Sequence, residues 1–143
     1  MKNKKFNQQW HDTNDPQSKA VVIAYMKSLG FGFHENPNKY GMDLISDFEN
    51  PKVALELEHR SIWEKEQYPY QSVHIPARKL KFLGNDHVHY IVLNKDFNRI
   101  GICLGRNLKA YLTAVGEVRN NAVASGEHFL HVPRAEFVWK SIL

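Results

Sequence analysis

The stretch Gly41-Met42-Asp43-Leu44-Ile45-Ser46-Asp47-Phe48-Glu49-Asn50-Pro51-Lys52-Val53-Ala54-Leu55-Glu56-Leu57-Glu58 decides how this chain is read. Its second half alternates. Val53, Leu55 and Leu57 fall on one side of an extended segment, and Ala54, Glu56 and Glu58 on the other. A period of two predicts a strand over 52–58. The segment 40–48 reads as the strand before it, with Glu49-Asn50-Pro51 as the turn between them. If the two strands fold back on each other, Asp43 lies near Glu56 across the pair. A register shift of two residues sets Asp43 opposite Glu58 on the same face, whereas a shift of one moves it to the other face.

Working outward, Asp15-Pro16 ahead of residues 17–29 and Gly30 after them predict the first helix, with Val21, Val22, Tyr25, Met26 and Leu29 as its apolar face. Phe31 to Phe33 suits a short strand, and 34–39 a turn-rich loop. Beyond the acidic strand, Ser61-Ile62-Trp63-Glu64 has the form of a capping box and predicts a helix start. Residues 76–83 before Gly84 read as a short helix carrying Arg78, Lys79 and Lys81. Strands are expected over 87–94 and 98–104, a helix over 108–115, an apolar run over 129–132 and a closing helix containing Phe137, Val138 and Trp139. This order implies an α/β fold: a single domain, residues 1–143, with a central mixed sheet flanked by helices. Residues 1–9, polar and basic, are expected to be flexible.

Three carboxylates brought together on one strand face repel each other unless a cation compensates. Mg²⁺ is the natural one, because it prefers hard oxygen ligands and retains waters. It also supplies the chemistry for attack on a phosphodiester. Acid is gathered between Asp43 and Glu66, and Arg78, Lys79 and Lys81 follow just beyond. An acidic centre beside a basic strip suits phosphate chemistry. The plain alternative is a solvated strand face with scattered surface charge.

The order of these features resembles the PD-(D/E)XK nuclease superfamily. A helix over 17–29 precedes Gly41-Met42-Asp43-Leu44, twelve residues intervene after Asp43, and Glu56-Leu57-Glu58 follows. In that family a helix leads to a strand with the Asp, then to a strand with (Asp/Glu)-x-Lys, then to a helix and a further strand. The likeness covers about half the chain, roughly residues 15–93. It implies a restriction endonuclease-like core and a Mg²⁺-dependent endonuclease of DNA, with Mn²⁺ as a substitute and RNA a further possibility. Asp43 and Glu56 would then be metal ligands, joined by the backbone carbonyl of Leu57. Glu58 stands where the family usually has Lys, so it is read as a general base, as a ligand to a second metal, or as the mark of an inactive module that only binds nucleic acid. Arg60 or Lys79 would supply the missing positive charge. Arg60, Arg78, Lys79 and Lys81 would engage the substrate. Gln17 is the nearest match to the family's accessory side chain on the first helix, with Asp15 second. Some members of the family act as homodimers, and a dimer is expected here on the same footing.

Other features carry less. The segment 67–79 mixes aromatics, amides and cations, which suits either backbone tracking or simple packing of a loop. His87-x-His89 has a spacing compatible with a transition metal, but no third ligand accompanies it. His59 points away from the carboxylates and reads as a packing residue. Cys103, the only cysteine, sits in an apolar run and reads as buried. A lone cysteine excludes an internal disulfide framework and a multi-cysteine zinc site. Residues 94–99 read as a turn in which Lys95 and Arg99 can touch phosphate, and no glycine-rich phosphate loop is present. The net charge of +4 points only weakly toward nucleic acid. The chain lacks an apolar run of the roughly 20 residues that span a bilayer and has no secretory leader pattern, so no membrane association and a cytoplasmic location are expected.

Overall fold

Aliphatic residues on alternate positions need cover on one side, and a helix supplies it. The computed structural model describes residues 8–38, 41–64, 67–76, 79, 83, 85–115 and 129–142, and only the backbone of 8–15, 112–115 and 129. Helix α1 (Gln8–Ser28) buries Ser18, Val22 and Met26, one residue per turn along a single face. Gly30, at φ 91°, ends it. The Gly30 N–H donates to the Lys27 carbonyl at 3.0 Å and the Phe31 N–H to the Met26 carbonyl at 2.9 Å, the paired bonds of a Schellman cap.

The strands follow as β1 (Phe33–Glu35), β2 (Leu44–Ser46), β3 (Ala54–His59), β4 (Ser72–Pro76), β5 (Val88–Leu93) and β6 (Arg99–Cys103). Helix α2 (Gly105–Val115), β7 (Phe129–Pro133), a single helical turn over Arg134–Glu136 and β8 (Val138–Ser141) complete the chain. Six strands form one sheet in the order β1-β2-β3-β5-β6-β8. The β1-β2-β3 run is an antiparallel meander, β3 and β5 are parallel, and the remaining pairs are antiparallel. The sheet is therefore mixed, as expected. The remaining two strands, β4 and β7, pair antiparallel in a separate ribbon.

Val22 and Met26 of α1 pack with Leu44, Leu55, Leu57, Ile91, Leu93 and Ile100 on one face of the sheet. Ala54, Val88, Tyr90 and Val92 face the other way, against Val73 and Ile75 of β4, Leu130 and Val132 of β7, and Leu108 of α2. That second face is thus covered by a β-ribbon as well as a helix, where helices alone were expected. The ribbon has a visible cause, since Val73 and Ile75 alternate with Ser72 and His74 as a strand requires.

Three further expectations change. The capping-box sequence at 61–64 starts no helix among the described residues. Ser61 and Ile62 form a turn, the Trp63 carbonyl accepts from the Lys95 N–H at 2.9 Å, and the Trp63 indole is fully buried against Tyr68 and Trp139. Burial of that large ring outweighs a local cap worth about 1 kcal/mol. Pro76 closes β4 instead of opening the expected helix; of the remainder of that segment only Lys79, in a 3-10 turn, and Leu83, in α-helical conformation, are described. The closing helix is a strand: β8 pairs with β6, with Trp139 opposite Gly101. Aromatic and β-branched residues at 137–139 favour that extended form.

At the start of the chain, α1 begins at Gln8 and runs through Pro16, ahead of the expected cap. Nothing between Gln8 and Asp15 forbids helix, and Pro16 removes one N–H···O bond. Of the segment expected to be flexible, residues 1–7 lie outside the described residues, and Gln8 and Gln9 are helical.

Gly101 is required by its neighbour. A Cβ built there would sit 2.6 Å from Trp139 Cε3 and 3.0 Å from a Val92 methyl. The Gly101→Ala variant is expected to lose about 1–3 kcal/mol, read as a lower urea midpoint at unchanged slope, because it forces the Trp139 ring off β6.

Candidate functional site

The site forms where β2 stops. β2 pairs with β3 only through Leu44↔Leu55 and Ile45↔Ala54. One step further, the same register sets Asp43 opposite Glu56, the first of the two same-face registers the hairpin reading allowed. Along β3 the N–H groups alternate in direction. Those of Ala54 and Arg60 reach the carbonyls of His87 and Leu93, on the β5 side, at 3.0 and 2.9 Å. Leu57 therefore turns its N–H and carbonyl back toward β2, where no backbone group among the described residues pairs with them. Side chains take over: Asp43 Oδ2 accepts the Leu57 N–H at 2.8 Å, and Lys79 Nζ donates to the Leu57 carbonyl at 3.3 Å.

Lys79 also joins the two glutamates. Its Nζ lies 2.7 Å from Glu58 Oε2 and 3.3 Å from Glu56 Oε1, and 5.9 Å from the centre of the Tyr90 ring. Burial opposes its charge, but Glu58 above all, with Tyr90 and Glu56, more than offsets that and raises its pKa. Lys79 is a fixed cation at any physiological pH.

Glu56 is 6% exposed, and its Oε2 receives no hydrogen bond. Asp43 is the acid beside it, close enough to share a proton. Burial, reinforced by Asp43 and opposed by Lys79, pushes the Glu56 carboxyl up to about 8. Asp43, Glu56 and Glu58 set against one lysine leave a surplus of negative charge, which a proton on Glu56 reduces. A small cation would reduce it equally well. The Asp43 and Glu56 oxygens, with the Leu57 carbonyl on the same edge, are hard donors of the kind Mg²⁺ takes. By that donor chemistry and the unsatisfied Glu56 oxygen, the residues fit such an ion. No group of three or more His, Cys, Asp or Glu side chains is arranged to hold a metal among the described residues, so the fit rests on two carboxylates and one carbonyl.

Arg60 is partly buried. Its Nη2 donates to the Tyr90 hydroxyl at 3.2 Å and to the His74 carbonyl, tying the end of β3 to β5 and to β4. Burial works against its charge, while Tyr90 and Glu58 hold it. Tyr90, fully buried beneath Lys79 and Arg60, has its phenol pushed up by burial and by Glu58. The sequence reading passed over Tyr90; the pairing of β3 with β5, which sets it opposite Glu56, was the missing information.

Of the other named residues, Gln17 is exposed on α1, which packs against the opposite face from Glu56. Arg78, Lys81 and the side chain of Asp15 lie outside the described residues. His89 Nδ1 accepts the Gly105 N–H at 3.0 Å and so anchors the start of α2, while His87 is exposed. His59 stacks on Phe97, with ring centres 4.3 Å apart, and Cys103 is buried with its thiol pushed up to about 12 by that burial. Both are packing residues, as read.

No protein-family model matches the chain, and no curated protein is significantly similar to it. Among the described residues no helix is long and apolar enough to cross a membrane.

The raised carboxyl of Glu56 gives stability a definite pH dependence. The folded chain binds a proton there that the unfolded chain releases near 4.5, so the contribution is complete below about 4.5 and is lost as pH rises through about 8. Denaturation across this window is expected to show stability falling toward alkaline pH, with that component absent in Glu56→Gln. Lys79→Met, which strands two partly buried acids, is expected to cost about 3 kcal/mol near neutrality in the same measurement.

Proposed function

We propose that this protein is a Mg²⁺-dependent nuclease that hydrolyses phosphodiester bonds of DNA, built on a restriction endonuclease-like core. One observation carries the reading. Asp43 lies beside Glu56, whose buried Oε2 accepts from no protein donor, and Lys79 bridges Glu56 and Glu58, a cation such as the resemblance asks for. The order of helix, antiparallel meander and parallel strand β5 is compatible with the same reading.

Asp43, Glu56 and the Leu57 carbonyl would hold the ion. Mg²⁺ supplies positive charge and Lewis acidity for phosphoryl displacement. The chain's own residues do the rest. Glu56 would release its proton to water when the ion is held, so that it and Asp43 face the ion with their full negative charge. Lys79 keeps an ammonium at the site edge, where negative charge grows on the phosphate. Glu58 takes the part of positioning Lys79, through the 2.7 Å ion pair, and keeps it charged. Arg60 holds β4 in place from within; Arg78 and Lys81 are assigned to the substrate backbone. A cytoplasmic homodimer that cuts both strands in one visit belongs to the same proposal.

One observation favours a second reading, a nucleic-acid-binding module without catalysis. Lys79 already contacts both glutamates, which partly neutralises the site without an ion.

Supercoiled, linear, branched and single-stranded DNA incubated with Mg²⁺, Mn²⁺ or EDTA separates the two. Cleavage that needs the divalent ion, vanishes in Asp43→Ala and Glu56→Ala, and slows about 10²–10³-fold in Lys79→Met is the expected result. Cleavage indifferent to EDTA and to Asp43→Ala would overturn the nuclease reading. Salt-sensitive binding without cleavage of any substrate would install the second one.

A further inference from the structure

The β4–β7 ribbon turns one face inward and one outward. Val73, Ile75, Leu130 and Val132 are buried beneath it, so the alternate residues face solvent. His74 of β4 and His131 of β7 are direct partners in the antiparallel register, and both are exposed. Their ring centres lie 4.1 Å apart with the planes tilted by 48°. We propose that His74 and His131 form a two-imidazole site for a divalent transition-metal cation on the outer face of the ribbon.

Geometry and chemistry both suit that ligand. Metal–imidazole bonds of about 2.0–2.1 Å at right or tetrahedral angles place the two nitrogens roughly 3 Å apart. Rings with centres 4.1 Å apart bring nitrogens into that range by rotation about χ2. Paired strands fix both Cβ positions, so little ordering remains for the ion to impose. Neutral imidazole is a good donor to Zn²⁺, Ni²⁺ and Cu²⁺ and a poor one to Mg²⁺, so this ligand class is distinct from that of the carboxylate site. Partial burial, with His131 and Arg60 beside it, lowers the pKa of His74, which keeps that ring unprotonated at neutral pH. The guanidinium of Arg60, held by the His74 carbonyl, opposes a second cation, and water completes the coordination, so moderate affinity follows.

Binding there would clamp β4 to β7. β4 leads through a short segment to Lys79, and β7 runs into the turn at Arg134, whose N–H donates to the Gln71 carbonyl at 2.8 Å just ahead of β4. The ion would therefore stabilise the layer that carries Lys79. None of this depends on the nuclease reading.

The full chain, carrying Asp43→Asn to silence the carboxylate site, is titrated with Ni²⁺ and separately with Zn²⁺ near neutral pH. Calorimetry gives stoichiometry and affinity, and the imidazole proton resonances identify the ligands. One equivalent is expected, with selective shifts of His74 and His131 and a rise in Tm on saturation. His74→Ala and His131→Ala are each expected to weaken binding about tenfold or more and to abolish the rise in Tm, while His87→Ala leaves both unchanged. Lowering the pH to about 5.5 is expected to weaken binding by at least tenfold, because protons compete for the same nitrogens. Unchanged affinity in both histidine variants, or no binding below millimolar metal, would overturn the site. Should one alanine variant fail to fold, the resonances of the unsubstituted pair still decide, since shifts confined to other histidines refute it.

Discussion

The main-chain groups of Leu57 form the constraint on which the rest of this structure depends. A strand residue inside a sheet must satisfy its N–H and carbonyl, and leaving either buried and unmet costs about 1–3 kcal/mol. β2 begins at Leu44, two residues short of Met42, the position that would face Leu57 in this register. Asp43 supplies an acceptor and Lys79 a donor, so two ionisable side chains are drawn to one point of the sheet for a purely structural reason. Glu56 and Glu58, on either side of Leu57, then lie beside them because alternate residues share a face. The candidate site is thus a consequence of where a strand stops.

Placing charge at that point has a cost that the surroundings absorb unevenly. Glu58 and Lys79 form a close pair that favours its charged form. Glu56 and Asp43 form the opposite kind of pair, two carboxyl groups brought together in a poorly hydrated place, which favours keeping a proton on Glu56. A single lysine separates these regimes. Beneath it, Tyr90 and Arg60 provide a polar floor within an otherwise apolar layer: Arg60 donates to Tyr90 and to β4, and the ammonium of Lys79 lies above the ring. The ribbon above is held by its aliphatic inner face and by the stacked Tyr68, Trp139 and Phe137 rings next to it. Packing of that aromatic group also explains why the tail is extended, since a helix would carry Trp139 away from Gly101 and the β6 edge.

Local pattern and tertiary demand agree over most of the chain and part at identifiable residues. The first helix with its glycine stop, the β2–β3 hairpin, strands β5 and β6 and helix α2 all follow from periodicity and end signals that act within a few residues. The capping box at Ser61 and the aromatic tail were misread because their local preferences are weak, whereas burying Trp63 and Trp139 is worth several times more. Strand β4 is visible in the alternation of Val73 and Ile75, but Tyr68-Pro69-Tyr70 ahead of it and Pro76 at its end obscured it.

The carboxylates divide in the same way. By itself, the sequence determined that Glu56 and Glu58 share a strand face; it left Asp43 opposite Glu56, opposite Glu58 or on the other face, and the observed register of β2 against β3 chose Glu56. Nor did the sequence determine what those acids meet. Lys79 follows Glu58 by 21 residues and reaches it only because β4 crosses the sheet first, and Tyr90 lies beneath both because β5 runs parallel to β3. Contacts across a crossover leave no periodic trace in the chain, so only the tertiary structure decided that the acids near Asp43 share one partly buried lysine.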